Sequence, residues 1–363
     1  MTLYIIIFFL TLFSIFLPQK YDKRAFFITS ILLLFLGTFR AKSVGTDTGS
    51  WYYYNWFYTT FNPKTWNHFT PFEPGYNLFI ATVKTFISSE YIAVYGLTFA
   101  ISFICIWYVI DKYSTRKTLS LFIFYAFYIY LTYYNLMRQT LAMSLCLILL
   151  FKYLYSNLNI FKYLVSITII SLLIHKTSLL FCIFPFFQYL SKIKIEKKIL
   201  YVILVISVFF FINTRYINEI IGFTKFFLTE RYFRYVEWGQ QLSVNYSLLE
   251  MLMYVCFTCI CIFFHKGNRF SPIFMIYYSG VILRALFINL IPIASRVFSL
   301  TSIFAIFIIP MIYSNITNKK SRIIFLTLVI FIGSIIFINS LNNNYGEIIP
   351  YKFFKINSKS LFI

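Results

Sequence analysis

The stretch ILYVILVISVFFFIN (199–213) decides the fold of this chain, because it is almost continuously apolar. It lacks the strict alternation of apolar and polar residues that marks the strands of a membrane barrel. A backbone can cross a bilayer only as a helix or as part of a closed barrel, since lipid offers its polar groups no hydrogen-bond partners. The stretch therefore predicts a membrane helix.

Similar runs recur along nearly all 363 residues, of which 60% are hydrophobic and only 12% are charged. Runs of roughly 15 to 20 residues suit a hydrocarbon core of about 30 Å. The sequence predicts an all-α fold, a polytopic membrane helical bundle of about 12 to 13 helices. The predicted spans are 2–17, 25–39, 91–110, 118–134, 139–155, 160–174, 177–190, 199–213, 247–264, 271–291, 294–314 and 323–341.

The domain organisation follows from these spans. Residues 1–341 form a single predicted transmembrane domain, and 342–363 form a short, polar and exposed C-terminal tail. Residues 75–88 form a further helix, interrupted by Lys84, and whether this helix crosses the membrane fully stays open.

The positive charge is concentrated in short loops. The chain carries a net charge of +21, and more than half of its 32 Lys and Arg residues fall in six loops between spans. Such clustering assigns these loops to the cytoplasm and makes anionic lipid the expected partner, whereas nucleic acid is excluded. The six loops are 18–24, 111–117, 152–162, 191–198, 265–270 and 315–322.

This topology leaves two long loops on the outer face, 40–74 and 214–246. Both are rich in aromatic residues, and Trp and Tyr favour the depth of the lipid headgroups. We expect both loops to contain interfacial helices.

Several basic or polar side chains sit inside apolar runs or at their ends. A charge at bilayer depth costs about 2.5 kcal/mol or more, so such groups usually line a wet cavity or bind a ligand. Arg138 begins a span and has no acidic neighbour in the sequence, which suits a bound anion. Arg138, Arg284 and Arg296 together predict a basic pocket for a diphosphate. The candidate substrate-binding residues are Arg40, Arg138, Gln139, Lys176, Arg284 and Arg296.

Three residues are candidates for a general base. Asp47 follows a turn at Gly45, Glu73 precedes a helix start, and His175 lies between two spans. Each has a structural alternative, since Asp47 and Glu73 can serve a helix N-terminus and a lone histidine is often an interfacial hydrogen-bonding group. The six cysteines lie in apolar spans without metal-ligand spacing, and the acids are scattered, so the sequence predicts no metal and no cofactor.

In their order along the chain, four motifs resemble those of EpsG-type polysaccharide polymerases, which belong with the Wzy-like O-antigen and capsule polymerases. Ile349-Pro350-Tyr351 also looks similar to the tail of that family. The four motifs are Arg40 with Gly45-Thr46-Asp47, Glu73-Pro74-Gly75-Tyr76, Met137-Arg138-Gln139 and His175-Lys176-Thr177-Ser178.

The resemblance implies a multi-pass enzyme of the bacterial inner membrane, with its active face outward in the periplasm. Such an enzyme joins oligosaccharide repeat units carried on undecaprenyl diphosphate into O-antigen, capsule or exopolysaccharide. Its expected partners are this lipid-linked oligosaccharide and membrane lipid, with a chain-length regulator as an optional third.

The same resemblance assigns roles to the candidate residues. Arg138 and Arg296 are expected to contact the diphosphate, with Arg40 in support and Arg284 as a weaker candidate. Asp47, Glu73 and His175 compete for the role of base, and Asp47 is favoured because nearby Arg40 would stabilise its ionised form.

Three other functions are compatible with the sequence. A flippase or other transporter of lipid-linked oligosaccharide also needs basic residues in a cavity, but mirrored halves with broken helices would be its mark. An O-acetyltransferase or ligase acting on the same glycan is a second alternative. A purely structural scaffold is the third, and it would not need so many charges at the ends of its spans.

Overall fold

The computed structural model describes residues 1–49, 51–66, 72–213, 248–287 and 293–354. Within these ranges the secondary structure is helical, and the only pairing of β type is an isolated antiparallel bridge between Arg40 and Phe353. The predicted all-α fold is confirmed. The predicted outer loop 214–246 lies outside the described residues.

The chain forms two compact units, Met1–Cys182 with Phe337–Ile363, and Ile183–Ile336. The long last helix, α17 (Lys319–Asn342), contains a boundary between them. The other helices of the first unit are α1 (Thr2–Ile15), α2 (Asp22–Thr38), α3 (Thr46–Gly49), α4 (Trp51–Tyr58), α5 (Pro74–Phe86), α6 (Tyr91–Tyr113), α7 (Lys117–Ala126), α8 (Ile129–Thr132), α9 (Met137–Tyr155) and α10 (Ile160–Leu173). Those of the second are α11 (Phe186–Leu190), α12 (Lys197–Ile212), α13 (Leu248–Phe264), α14 (Pro272–Phe287), α15 (Ile293–Ser302) and α16 (Ala305–Asn315).

Four helical segments in the described part of the chain are long and apolar enough to cross a membrane. Further helices of 10 to 17 residues are also apolar, among them α1, α7 and α14. The structure is that of a helical membrane bundle, as the sequence predicts. The four segments are Tyr91–Tyr113, Met137–Tyr155, Arg296–Asn315 and Lys319–Asn342.

Three predicted spans are interrupted, and one of them, 294–314, is divided between α15 and α16. In 118–134, helix α7 ends at Ala126, and Tyr128 adopts a left-handed conformation with φ of 63° before the short helix α8. In 177–190, a 3-10 helix (Lys176–Ile183) gives way to α11 after Pro185. Pro185 has no N–H and restricts the residue before it, so a new helix starts there. Apolar composition alone does not separate these cases from one continuous helix.

Helix α5 corresponds to the predicted helix 75–88. Its 13 residues rise about 20 Å, less than the thickness of a hydrocarbon core. The ammonium group of Lys84 donates to the carbonyl oxygens of Trp56 (3.1 Å) and Phe57 (2.9 Å), at the C-terminal end of α4. A cation is favourable at that end of a helix dipole. Lys84 thus joins α5 to the described part of the predicted outer loop 40–74.

The described part of the C-terminal tail, residues 343–354, docks onto the rest of the first unit, although several of its side chains are exposed as predicted. Residues 355–363 lie outside the described residues. Ile348 is fully buried, and its carbonyl accepts a hydrogen bond from the hydroxyl of Tyr4 (2.9 Å). Backbone N–H groups of Ala41 and Thr46 donate to the carbonyls of Lys352 (2.8 Å) and Gly346 (2.9 Å). The polar composition of the tail conceals this docking, since most of its contacts use backbone atoms.

Gly346 offers a test of the docked tail. It has φ of +75°, and a Cβ added there would lie 2.0 Å from Asn135 Nδ2, which donates to the Gly346 carbonyl (3.2 Å). Gly267 has a similar φ of +80° but nothing within 4 Å of an added Cβ.

Both alanine substitutions incur the left-handed backbone cost of about 1–2 kcal/mol, and only Gly346→Ala must also displace Asn135. We expect Gly346→Ala to lower the Tm of the detergent-purified protein clearly more than Gly267→Ala. Equal Tm shifts would contradict the docked position of the tail.

Candidate active site

The N-terminal end of α5 lies against the C-terminal end of α10. A Cβ added at Gly75 would come 2.7 Å from Leu173 Cβ and 2.8 Å from the Leu173 carbonyl oxygen, so only glycine fits this approach. Glu73 precedes Gly75 by two residues, and the turn that starts at His175 follows α10. The close contact therefore brings two motifs together that are about 100 residues apart in the sequence.

The carboxylate of Glu73 connects three of the predicted motifs. One oxygen forms an ion pair with the guanidinium of Arg138, at the start of α9. The other accepts a hydrogen bond from the backbone N–H of Lys176 (3.2 Å). Both donors hold the carboxylate in one position, because an ion pair and an N–H bond fix different oxygens.

Arg138 is not the unpaired guanidinium that its sequence neighbours indicate, since Glu73 neutralises it. The guanidinium lies over the ring of Phe72, with 3.7 Å between its central carbon and the ring centroid. Its Nε is buried and has no hydrogen-bond partner within the described residues. With 16% of its side chain exposed, Arg138 retains a route to a ligand from outside.

Tyr52 lies next to this arginine. Its hydroxyl oxygen accepts a hydrogen bond from the backbone N–H of Arg138 (3.1 Å). Burial raises the pKa of Tyr52, the positive charge of Arg138 lowers this pKa in part, and the negative charge of Asp47 raises it. The phenol therefore stays protonated at neutral pH, and Asp47 lies close enough to act on it electrostatically.

The turn that carries Asp47 is held on several sides. Gly45 has φ of +113°, which favours glycine, and the hydroxyl of Thr48 donates to the Tyr134 carbonyl (2.9 Å). From α6, the hydroxyl of Tyr91 donates to the Thr48 carbonyl (2.7 Å). Asp47 itself is half-buried. The predicted turn at Gly45 is confirmed, and Asp47 sits on a short, well-supported helix.

His175 is buried and makes local hydrogen bonds. Its Nδ1 lies 2.8 Å from the hydroxyl of Thr177 and accepts from the Thr177 backbone N–H (3.3 Å). A backbone N–H can only donate, so a neutral ring must carry its proton on Nε2. In this tautomer Nε2 is a hydrogen-bond donor, which suits binding of an anion better than removal of a proton.

Arg40 is used inside the protein. It is fully buried, and its guanidinium donates to the carbonyls of Val44 (3.3 Å), Tyr134 (3.2 Å) and Gly37. Arg40 therefore has no exposed surface for its expected contact with a diphosphate, because its N–H groups donate to backbone carbonyls. The reason for favouring Asp47 through Arg40 therefore loses its structural support.

Two other predicted residues of the first unit differ in accessibility. Gln139 is buried beside Arg138, with 2% of its surface exposed, whereas Lys176 is exposed. Of the two, only the Lys176 side chain can reach a ligand without rearrangement.

The second unit contains Arg284, Arg296 and an acidic residue that the sequence analysis overlooked. Arg284 is buried and forms an ion pair with Glu250 at 2.7 Å, with its guanidinium 4.3 Å from the centroid of Phe298. Arg296 is exposed at the start of α15. The negative charge of Glu250 offsets the cost of burying the Arg284 guanidinium. The sequence predicted that a diphosphate would have this role. A pocket shared by Arg138, Arg284 and Arg296 stays a prediction.

A family comparison identifies the chain. The model of the EpsG family matches residues 23–353, which is most of the sequence. The chain belongs to the EpsG family. Members of the EpsG family are membrane proteins of polysaccharide-polymerase type, which agrees with the helical membrane bundle. No curated protein and no solved structure matches the chain at a significant level.

All four motifs that resemble EpsG polymerases fall inside the matched range. In this EpsG-family chain, Glu73 contacts both the Arg138 side chain and the backbone of Lys176. His175 directly precedes Lys176 in the chain. The charge of Asp47 acts on Tyr52, whose hydroxyl contacts the backbone of Arg138. Sequence analysis missed Tyr52 and Glu250 as partners of the arginines. Glu250 had a signal, because it is the sole acid of the span 247–264 and acids in spans are commonly functional or paired.

The EpsG-family site has no metal-binding character in the part of the chain that the structure describes. No group of three or more His, Cys, Asp or Glu side chains there is arranged to hold a metal ion.

Proposed function

We propose that this EpsG-family protein is a glycosyltransferase that polymerises oligosaccharide repeat units carried on undecaprenyl diphosphate. The reaction takes place on the outer side of the bacterial inner membrane and yields O-antigen, capsule or exopolysaccharide. The single observation that carries this proposal is Arg138, which Glu73 and Phe72 hold in place while 16% of its side chain stays exposed.

Arg138 has the properties of a group that stabilises a leaving diphosphate. A positioned guanidinium in a site of low polarity interacts strongly with charge that develops on phosphate oxygens. Glu73 orients Arg138 and is engaged through both of its oxygens, so it is less suited to accept a proton. The exposed side chain of Lys176 can supply a further donor to the same anion.

Asp47 is the base in this proposal. It is half-buried on a turn that hydrogen bonds hold in place. Its negative charge raises the pKa of Tyr52, whose hydroxyl accepts a hydrogen bond from the backbone N–H of Arg138. The proton of the attacking sugar hydroxyl passes to Asp47 while the hydroxyl oxygen bonds to the anomeric carbon. The bond from that carbon to the diphosphate breaks, and the diphosphate leaves with the electron pair.

A deletion strain separates this function from that of a flippase. Loss of a polymerase leaves a surface glycan of one repeat unit, whereas loss of a flippase removes the surface glycan altogether. We expect electrophoresis of the glycan to show the single unit. Complete absence of surface glycan would overturn the polymerase assignment in favour of transport.

The base is tested by Asp47→Asn, which keeps the size and shape of the side chain but cannot take up the proton. We expect a rate of polymerisation lower by about 10²–10⁴-fold, the usual contribution of acid–base catalysis. Glycan length and the amount of membrane protein are measured together, and Glu90→Gln on the exposed surface is the matched control. A normal ladder in Asp47→Asn would exclude Asp47 as the base.

A further inference from the structure

Away from the candidate active site, the first unit has a cavity of about 490 Å³. It lies at the start of α2, next to the end of α6, where Lys20, Lys23 and Arg24 are exposed at its rim. These residues belong to the loop 18–24, which the positive-inside pattern assigns to the cytoplasm. The cavity is therefore a separate feature from the Glu73–Arg138 site.

Acidic side chains in the described part of the chain do not balance the positive charges of this cavity. Within the described residues, none of the ion pairs includes Lys20, Lys23 or Arg24. One acid, Asp111, lines the cavity, and it is paired with Lys117 at 2.7 Å. The rim thus presents three positive charges with no acid committed to them, and an anionic ligand complements it.

The rest of the cavity is apolar and aromatic. Phe26 and Trp107 stack with ring centroids 5.9 Å apart and planes 9° from parallel. Phe27 and Ile28, both exposed, extend the lining along α2. Tryptophan favours the depth of lipid headgroups, and an exposed aliphatic and aromatic wall suits acyl chains.

We propose that this cavity binds an anionic glycerophospholipid. The phosphate of the headgroup contacts Lys20, Lys23 and Arg24, the glycerol region lies against Trp107, and the acyl chains follow Phe27 and Ile28 into the bilayer. The volume accommodates a headgroup but not whole acyl chains, which agrees with a ligand that stays in the leaflet. This assignment is independent of the polymerase proposal.

The full-length protein, purified in detergent, is titrated with phosphatidylglycerol, with phosphatidylcholine and with inorganic phosphate, and bound lipid is counted by native mass spectrometry. We expect one tightly bound phosphatidylglycerol. The variant Lys20→Gln/Lys23→Gln/Arg24→Gln should bind it at least about tenfold more weakly, because each basic group near the headgroup contributes to affinity.

The matched control is Lys192→Gln/Lys194→Gln/Lys198→Gln, which removes three exposed charges from another predicted cytoplasmic loop. It should keep the tight lipid. Trp107→Leu keeps every charge and should still weaken phosphatidylglycerol binding.

Three results would overturn the proposal. Equal losses in both triple variants would mean unspecific attraction, and unchanged affinity in Trp107→Leu would remove the cavity from the binding site. Occupation by phosphatidylcholine or by inorganic phosphate with the affinity of phosphatidylglycerol would exclude an anionic lipid as the ligand.

Discussion

Arg138→Ala should reduce the polysaccharide of cells to a single repeat unit. Removal of one oriented donor to a developing charge typically lowers a rate by about 10²–10³-fold, which is enough to abolish a long glycan ladder. Arg138→Lys should recover little activity, because an ammonium cannot reproduce the planar fork of a guanidinium. Glycan electrophoresis in a deletion strain complemented with each variant measures the effect.

A structural role for the ion pair must be separated from a chemical one. Removal of Arg138 alone leaves Glu73 partly buried without its cation, which is itself destabilising, whereas exchange of both partners for apolar residues is often tolerated. The double variant Glu73→Leu/Arg138→Leu should therefore fold and still fail to polymerise. Restored polymer in the double variant would show that the pair only supports the fold.

The control for these variants is the exposed pair of Lys198 and Glu196, whose charged atoms are 2.8 Å apart. Surface pairs of this kind contribute little to stability. Replacement of both residues by alanine should leave the glycan ladder and the amount of membrane protein unchanged.

Arg40→Ala should have the largest effect on stability. It removes the donor that Arg40 supplies to the buried carbonyls of Gly37 and Val44, whereas the Tyr134 carbonyl keeps the hydroxyl of Thr48. Each unsatisfied buried group costs about 1–3 kcal/mol, so the two together remove a large part of a stability that is typically about 5–15 kcal/mol. The Tm of the detergent-purified protein should fall by several degrees or more, or the protein should disappear from the membrane.

The neighbouring Lys42 is exposed and provides the comparison. Lys42→Ala should change the Tm only slightly, because surface substitutions usually cost less than about 0.5 kcal/mol. If Arg40→Ala instead kept a normal Tm and lost only the long glycan, Arg40 would return to the substrate site as the sequence predicts.

The sequence predicts the helices of this protein well, because continuous apolar runs of bilayer length leave few alternatives. It predicts helix ends poorly where a break in a helix depends on the conformation of one residue. The left-handed Tyr128 and the 3-10 helix from Lys176 to Ile183 lie inside runs whose composition also suits an uninterrupted helix.

The candidate site shows the same division. Glu73, Arg138 and His175 could be selected from the sequence, because charged or titratable residues at the ends of apolar spans are few. Their pairing could not, since Arg138 and its acid are 65 residues apart and the sequence does not show that the helix starts that carry them meet. The role of Arg40 inside the protein was equally inaccessible, because its partners are backbone carbonyls.

The docked segment 343–354 has a consequence for biogenesis. It is translated after every helix that the structure describes, yet it supplies the carbonyls that receive the N–H groups of Gly45 and Thr46. The support around Asp47 is therefore completed late, because a nascent chain whose described helices had all been inserted would still lack these two hydrogen bonds. The proposed active site would therefore become functional only after the segment 343–354 has docked.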